Sequence, residues 1–297
     1  MGYLHIENLY KHQEILMFKE CYALEKIHGT SASITFKTNP SNPSQWQVTF
    51  FSGGESYENF AALFEKDQLL KAFLNEGTPC DKNVIIYGEA YGGKQQGMSH
   101  TYGTRLKFIA FDVSIGENGW LNVPEAESFC KRLGIEFVPY ARVSTDLKEL
   151  DAQRNANSVQ AVRNGITDPK KREGVVLRPI IDLIKTTGAR IICKHKGDEF
   201  RETASPRVVD DPSKLKVLAD ADIIATEWVT ATRLDHVLDK IPGAEMKHMP
   251  VVLKAMIEDV TREAAGEIVD NDVVRKAITK RTATLFKNHL GKKLVNG

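Results

Sequence analysis

The sequence predicts an α+β protein: a β-rich mixed region followed by a small all-helical one. Short apolar runs bounded by Gly, Pro and Asn recur up to about residue 200, which is the pattern of strands. Beyond Arg201 to Pro212, a polar stretch with two prolines, the apolar period becomes helical. The chain has 297 residues, 42% of them hydrophobic and 27% charged, enough for two domains with their own cores. The division read from these shifts is a first domain over 1–205, a linker over 206–212 and a helical domain over 213–297.

In order, Cys21 to Leu24 reads as a strand leading to Lys26, with Ser33 to Phe36 as its antiparallel partner across a turn at Gly29. Asn39 to Ser44 is a turn, and Trp46 to Phe51 a strand ended by Gly53 and Gly54. Phe60, Leu63, Phe64, Leu70, Phe73 and Leu74 recur at helical spacing, so 57–75 is read as one helix. Val84 to Glu89 and Leu106 to Val113 are apolar strands. Pro124 opens a helix that Gly134 stops. Residues 144–172 carry no clear period. Glu173 to Pro179 and Arg190 to Lys196 are the last strands. In the helical part, Leu215, Leu218, Ala221, Ala225 and Trp228 line one face, then Val252, Met256, Val260 and Ala264, then Val274, Ala277 and Leu285.

The net charge of +1 announces no nucleic-acid partner, so any basic surface is local. Cys21, Cys80, Cys130 and Cys193 are widely spaced, which suggests neither a zinc site nor a disulfide framework and fits a reducing cytosol. No apolar run reaches the roughly 18 residues of a membrane span. The first residues lack a signal-peptide apolar segment. A cytoplasmic monomer is the expectation.

Chemistry gathers at strand ends. Lys26 follows one strand, Glu89 ends another, Glu173 starts one, and Lys194 with Lys196 ends the last. Alternation puts Lys194 and Lys196 on one strand face with His195 opposite. An amine nucleophile, two carboxylates and two further lysines form an inventory for phosphoryl transfer. The carboxylates Glu173 and Glu89 could hold magnesium or manganese, and the lysines could neutralise phosphate oxygens. Lys26 must be an unprotonated amine to attack, and neighbouring cations would favour that form.

Five stretches occur in the order seen in covalent nucleotidyltransferases: Lys26-Ile27-His28-Gly29-Thr30, Tyr87-Gly88-Glu89, Phe108 to Asp112, Glu173 to Pro179, and Lys194-His195-Lys196. They most resemble the RNA ligase 2 family, of phage and kinetoplastid-editing type, because His28 stands where DNA ligases and capping enzymes usually have Asp. Trp228 to Ile241 is similar to the start of that family's helical C-terminal domain.

The resemblance implies an ATP-grasp-like pair of antiparallel sheets forming a nucleotidyltransferase domain, with ATP as cofactor. It also implies RNA with 5′-phosphate and 3′-OH ends, such as a nicked duplex, as substrate. Lys26 would carry AMP. Glu25, Ile27, Glu89, Phe111, Glu173, Lys194 and Lys196 would surround the nucleotide, with Glu89 on the ribose and Phe111 on the adenine. His28 would act chiefly after AMP is loaded. Arg233, with Arg178 near the site, would hold RNA through phosphates. Two departures stand out. Ser31 replaces an Asn common in the family, and Phe50 to Gly54 lacks an arginine often found there. A DNA ligase or GTP-using capping enzyme, and a non-catalytic RNA-binding module, are the competing readings.

Overall fold

The computed structural model describes residues 2–39, 41–75, 82–116, 119–210 and 217–296. Pro40, Cys80, Leu215 and the 211–212 end of the expected linker lie outside these residues. The chain forms two compact units, Met1–Gly197 and Asp198–Gly297.

The first unit runs β1 (Glu20–Lys26), β2 (Thr30–Asn39), β3 (Asn42–Ser52), α1 (Tyr57–Ala61), α2 (Lys66–Asn75), β4 (Val84–Tyr91), α3 (Ser99–Tyr102), β5 (Lys107–Ile115) and β6 (Gly119–Trp120). It continues through α4 (Val123–Arg132), β7 (Tyr140–Ser144), α5 (Leu147–Asn155), α6 (Val159–Arg163), β8 (Gly174–Pro179) and β9 (Cys193–Lys196). All named strands pair antiparallel, in two sheets ordered β7-β1-β8-β9 and β3-β2-β4-β5-β6.

The expected hairpin of 21–24 with 33–36 is therefore corrected. β1 lies between β7 and β8, and β2 lies between β3 and β4. Residues 27–29 carry the chain from one sheet to the other. A physical reason lies in the burial. Ala32, Ile34 and Phe36 form one face of β2, and Phe36 stacks on Phe73 of α2 at 4.1 Å. Folding β2 back onto β1 would forfeit that packing. The period of two was legible, but it does not name a strand's neighbour.

The single helix expected over 57–75 is two, α1 and α2, with Ser56 capping the first through the Asn59 N–H. α4 follows expectation: Asn122 and Glu125 form a capping box, Pro124 sits in its first turn, and Gly134 follows its end with φ 71°. The unassigned stretch 144–172 holds α5 and α6. The last strand is only Cys193–Lys196, and Arg190 lies before it.

The second unit contains α7 (Ala221–Trp228), α8 (Ala231–Asp239), α9 (Met249–Glu263) and α10 (Asp272–Asn296). Its core includes Trp228, Val252, Met256, Val260, Ala264 and Val274. On α10 the deepest residues are Ile278 and Phe286 rather than Ala277 and Leu285, a rotation of one residue. Residues 198–207, read from sequence as domain end and linker, bond within this unit: Ala204 N–H donates to the Glu227 carbonyl, and Arg207 pairs with Glu227 and Glu267.

Cys21, Cys130 and Cys193 are buried free thiols, and burial pushes the Cys21 thiol up to about 12. Among the described residues no helix is long and apolar enough to cross a membrane.

Candidate active site

The centre of the site is one buried carboxylate. Glu173 directly precedes β8, whose first residue, Gly174, pairs with both Lys26 at the end of β1 and Lys196 at the end of β9. Three side chains converge on Glu173. Lys26 Nζ donates to Oε2 at 2.8 Å, His28 Nδ1 lies 3.0 Å from the same oxygen, and Lys196 Nζ lies 3.1 Å from Oε1. Burial raises the Glu173 pKa, but Lys26, Lys196 and His28 together outweigh it and hold the carboxyl well below its usual range.

Two glycines permit this approach. A Cβ on Gly29 would lie 2.4 Å from the Ala90 carbonyl oxygen and 2.9 Å from Glu89 Cγ, so the turn presses directly on β4 beside Glu89. A Cβ on Gly174 would lie 2.2 Å from the His195 carbonyl oxygen. Glu89 is thus brought against the Lys26 turn, opposite Ser31 in the β2–β4 ladder.

Lys194 is buried on the same face of β9 as Lys196, and its backbone joins Glu7 and Leu9 of the N-terminal segment. His195 points the other way, to Asp151 at 2.8 Å. Ile27 is buried beside Lys26.

Phe111 is half-buried at a β-bulge, where Tyr87 pairs with Asp112 and Gly88 pairs with Ala110. Its ring meets Tyr3 edge-on at 4.8 Å, and Tyr3 also contacts Tyr87 and Trp120. Tyr3 N–H reaches Ser31 Oγ at 3.4 Å, which links this aromatic group to the sheet face bearing Glu89. Phe108 packs with Phe60 and Phe64.

The structure corrects several expected roles. Glu25 is buried and spends its carboxylate on the start of α6, accepting from Ser158 Oγ at 2.5 Å, Val159 N–H at 2.9 Å and Gln160 N–H at 3.3 Å. Its side chain anchors the strand end and is not offered to a nucleotide. Arg178, expected to touch RNA, is buried with Asp112 at 2.9 Å, Asp182 at 2.6 Å and the Leu121 carbonyl at 2.7 Å, so its guanidinium is engaged within the protein. Arg233 is likewise buried in the helical unit, paired with Asp259 at 2.5 Å and Glu202 at 3.3 Å and donating to the Trp228 carbonyl. A guanidinium consumed this way in a dry core is unavailable to phosphate.

Of the two carboxylates expected to hold a divalent ion, Glu173 is engaged by the lysines and Glu89 lies against the Lys26 turn. Both Glu173 oxygens are occupied by cationic groups, and among the described residues no cluster of three or more His, Cys, Asp or Glu could hold a metal ion. Glu173 is the counter-ion of the lysines.

Sequence reasoning missed the second charged cluster. Asp112 Oδ2 accepts from Arg190 at 2.6 Å and from the Tyr3 hydroxyl at 2.5 Å, and Arg190 also pairs with Asp182. Because Asp112 sits on β5 and Arg178 on β8, this cluster pins one sheet to the other. An aspartate inside the apolar run Phe108 to Val113 was the available signal, since a buried carboxylate demands partners. Tyr102, whose hydroxyl lies 3.4 Å from the His28 N–H donor, gave no signal in the sequence.

A family model described as RNA ligase matches residues 19–196. No curated protein matches the chain. Among solved structures, an RNA ligase variant of Naegleria gruberi with AMP and manganese is similar at 14% identity, with a TM-score of 0.49. Another variant with ATP and manganese, and the enzyme with pyrophosphate, are similar at 16% identity and the same TM-score. Each comparison covers 67% of this chain, and the chain spans 57% of the Naegleria chains.

Proposed function

This chain belongs to the RNA ligase family, and on that premise we propose that it is an ATP-dependent ligase joining RNA 3′-OH and 5′-phosphate ends. The observation that carries the proposal is the cluster on Glu173: the strand-end lysine Lys26, a second lysine, Lys196, and His28 share one buried carboxylate. The excess positive charge suits a polyphosphate.

Lys26 is the nucleophile. While its ammonium donates to Glu173 it has no free lone pair, so a proton must leave before attack. The amine then forms a P–N bond to the ATP α-phosphorus, and the bond to pyrophosphate breaks. In the second step the RNA 5′-phosphate oxygen takes AMP from Lys26. In the third, the RNA 3′-OH attacks that 5′-phosphorus and AMP leaves, sealing a nick. Lys196 and Lys194 balance phosphate charge during transfer. Phe111 offers a face for adenine, and Glu89 lies where it can meet the ribose. His28 keeps Glu173 oriented after Lys26 is consumed. A divalent ion, magnesium or manganese, would enter with the nucleotide's phosphates and supply charge neutralisation there. We place the enzyme in the cytosol as a monomer acting in RNA repair, with the helical unit engaging RNA.

The test is incubation with α-labelled ATP or GTP. Label retained on the protein from ATP, and lost in Lys26→Ala, supports the reading. Label from GTP alone would favour a capping enzyme. No label at all, with RNA still bound, would favour a binding module. Sealing of a panel of 5′-phosphorylated RNA and DNA nicks then separates RNA from DNA ligase. Truncation after Gly197 should keep label transfer and impair sealing.

A further inference from the structure

The segment between β4 and β5 delivers a residue that the ligase reading leaves unused. After Tyr91 the chain turns through positive φ at Gly92, Gly93, Gln96 and Gly97. Gln96, at φ 51°, is the one non-glycine residue with positive φ among the described residues. A side chain is disfavoured in that region, so the surrounding structure must hold it there. The turn ends in α3, whose last residue is Tyr102.

Tyr102 is 1% exposed, and its ring packs edge-on against Tyr91 at 5.3 Å. It is fixed from behind: Asn164 Nδ2 donates to its carbonyl at 3.0 Å, and Lys107 Nζ donates to Asn164 Oδ1 at 2.7 Å. Its hydroxyl oxygen receives the His28 N–H at 3.4 Å. Burial, with the charges of Glu25, Glu173 and Glu89 nearby, keeps the phenol neutral and its pKa raised. Residues 27–29 leave one sheet for the other, so the His28 N–H belongs to neither ladder. A buried N–H without an acceptor is costly, and Tyr102 supplies one.

We propose that Tyr102 is a positioning residue for the nucleophile. By accepting the His28 N–H it fixes the backbone from Lys26 to Gly29, so that Lys26 and His28 meet the same Glu173 oxygen. It touches no reacting atom. This inference rests on the ligase reading.

The experiment compares Tyr102→Phe with Tyr91→Phe in the full chain, following transfer of labelled AMP to protein at varied ATP. Tyr91 loses a buried hydroxyl that accepts from Gln160 at 3.0 Å and also meets Asn164, so it controls for a hydroxyl lost behind Tyr102 while the acceptor of the His28 N–H stays in place. Tyr102→Phe should slow AMP loading at saturating ATP about tenfold, with KM for ATP within about twofold of wild type; tenfold corresponds to about 1.4 kcal/mol, the scale of one hydrogen bond. Tyr91→Phe should leave the rate unchanged. Equal slowing in both variants, no slowing in Tyr102→Phe, or a change confined to KM would each overturn the proposal. Hydrogen exchange at the His28 amide of the unaltered protein reads the same contact without substitution: protection is expected, and exchange at the rate of an open loop would overturn it. Failure of wild type to load AMP at all sinks the ligase reading instead, so the two failures are distinct.

Discussion

Two charged clusters lie in the first unit, and they differ in balance and in wetness. In the Asp112 cluster, two aspartates meet two arginines, with Arg178 and Arg190 each 2% exposed. Every charge is matched and dry. In the Glu173 cluster, one carboxylate meets two lysines and a histidine, and Lys26 is 25% exposed. Positive charge is in excess there, and water reaches it. A matched, dry network holds a fold together. An unmatched one beside solvent can release a partner and accept an anion.

Substitutions can break this contrast. The largest effect on chemistry is expected from Lys26→Ala, where labelled AMP transfer should fall at least about 10³-fold while the melting temperature stays within about 2 °C, since the side chain reaches solvent. The largest effect on stability is expected from Asp112→Asn, which leaves two dry guanidiniums with Asp182 as their one shared carboxylate in this cluster at a cost of about 3 kcal/mol, read as a melting temperature lower by roughly 10 °C. Glu173→Gln should reverse that emphasis: AMP loading falls about 10²-fold, with a smaller stability loss because Lys26 and Lys196 can turn to water. If Glu173→Gln destabilises as much as Asp112→Asn, the contrast is wrong.

Acid should act on both clusters. Burial raises the carboxyls of Glu173 and Asp182, but the paired cations outweigh it, and both folded values lie below the unfolded ones. Each group therefore contributes stability above the unfolded carboxylate range of about 4, and that contribution is lost as pH falls through the folded values. Thermal melts from pH 7 down to pH 2 should show the loss beginning below about pH 4. A melting temperature flat across that range would remove both groups from the account.

The smallest effect is expected from Asp151→Asn. Its side chain is 50% exposed and bonds His195, on the face of β9 opposite Lys194 and Lys196. A pair exposed on one side is worth about 1 kcal/mol or less, and AMP loading should be unchanged. Loss of loading would show that the two faces of β9 are not independent.

The sequence by itself determined the strand-ending positions of Lys26 and Lys196, Glu173 directly before a strand, the α+β character, and the change from strand to helix period in the second unit; Glu89, read as a strand end, lies inside β4, which runs on to Tyr91. These are local matters: alternation, turn residues and periodicity are written in neighbours along the chain. It also determined the face of β9, because Lys194, His195 and Lys196 alternate whatever the strand pairs with. Only the tertiary structure decided which strands are neighbours, and so that the Lys26 turn crosses between sheets instead of closing a hairpin. It alone decided that Glu25, Arg178 and Arg233 are spent on buried partners, and that Lys26, Lys196 and His28 converge on Glu173. A charged residue looks the same in sequence whether its partner is water, phosphate or a carboxylate 66 residues away, as between Asp112 and Arg178. Burial and long-range pairing set its role, and both are properties of the packed chain.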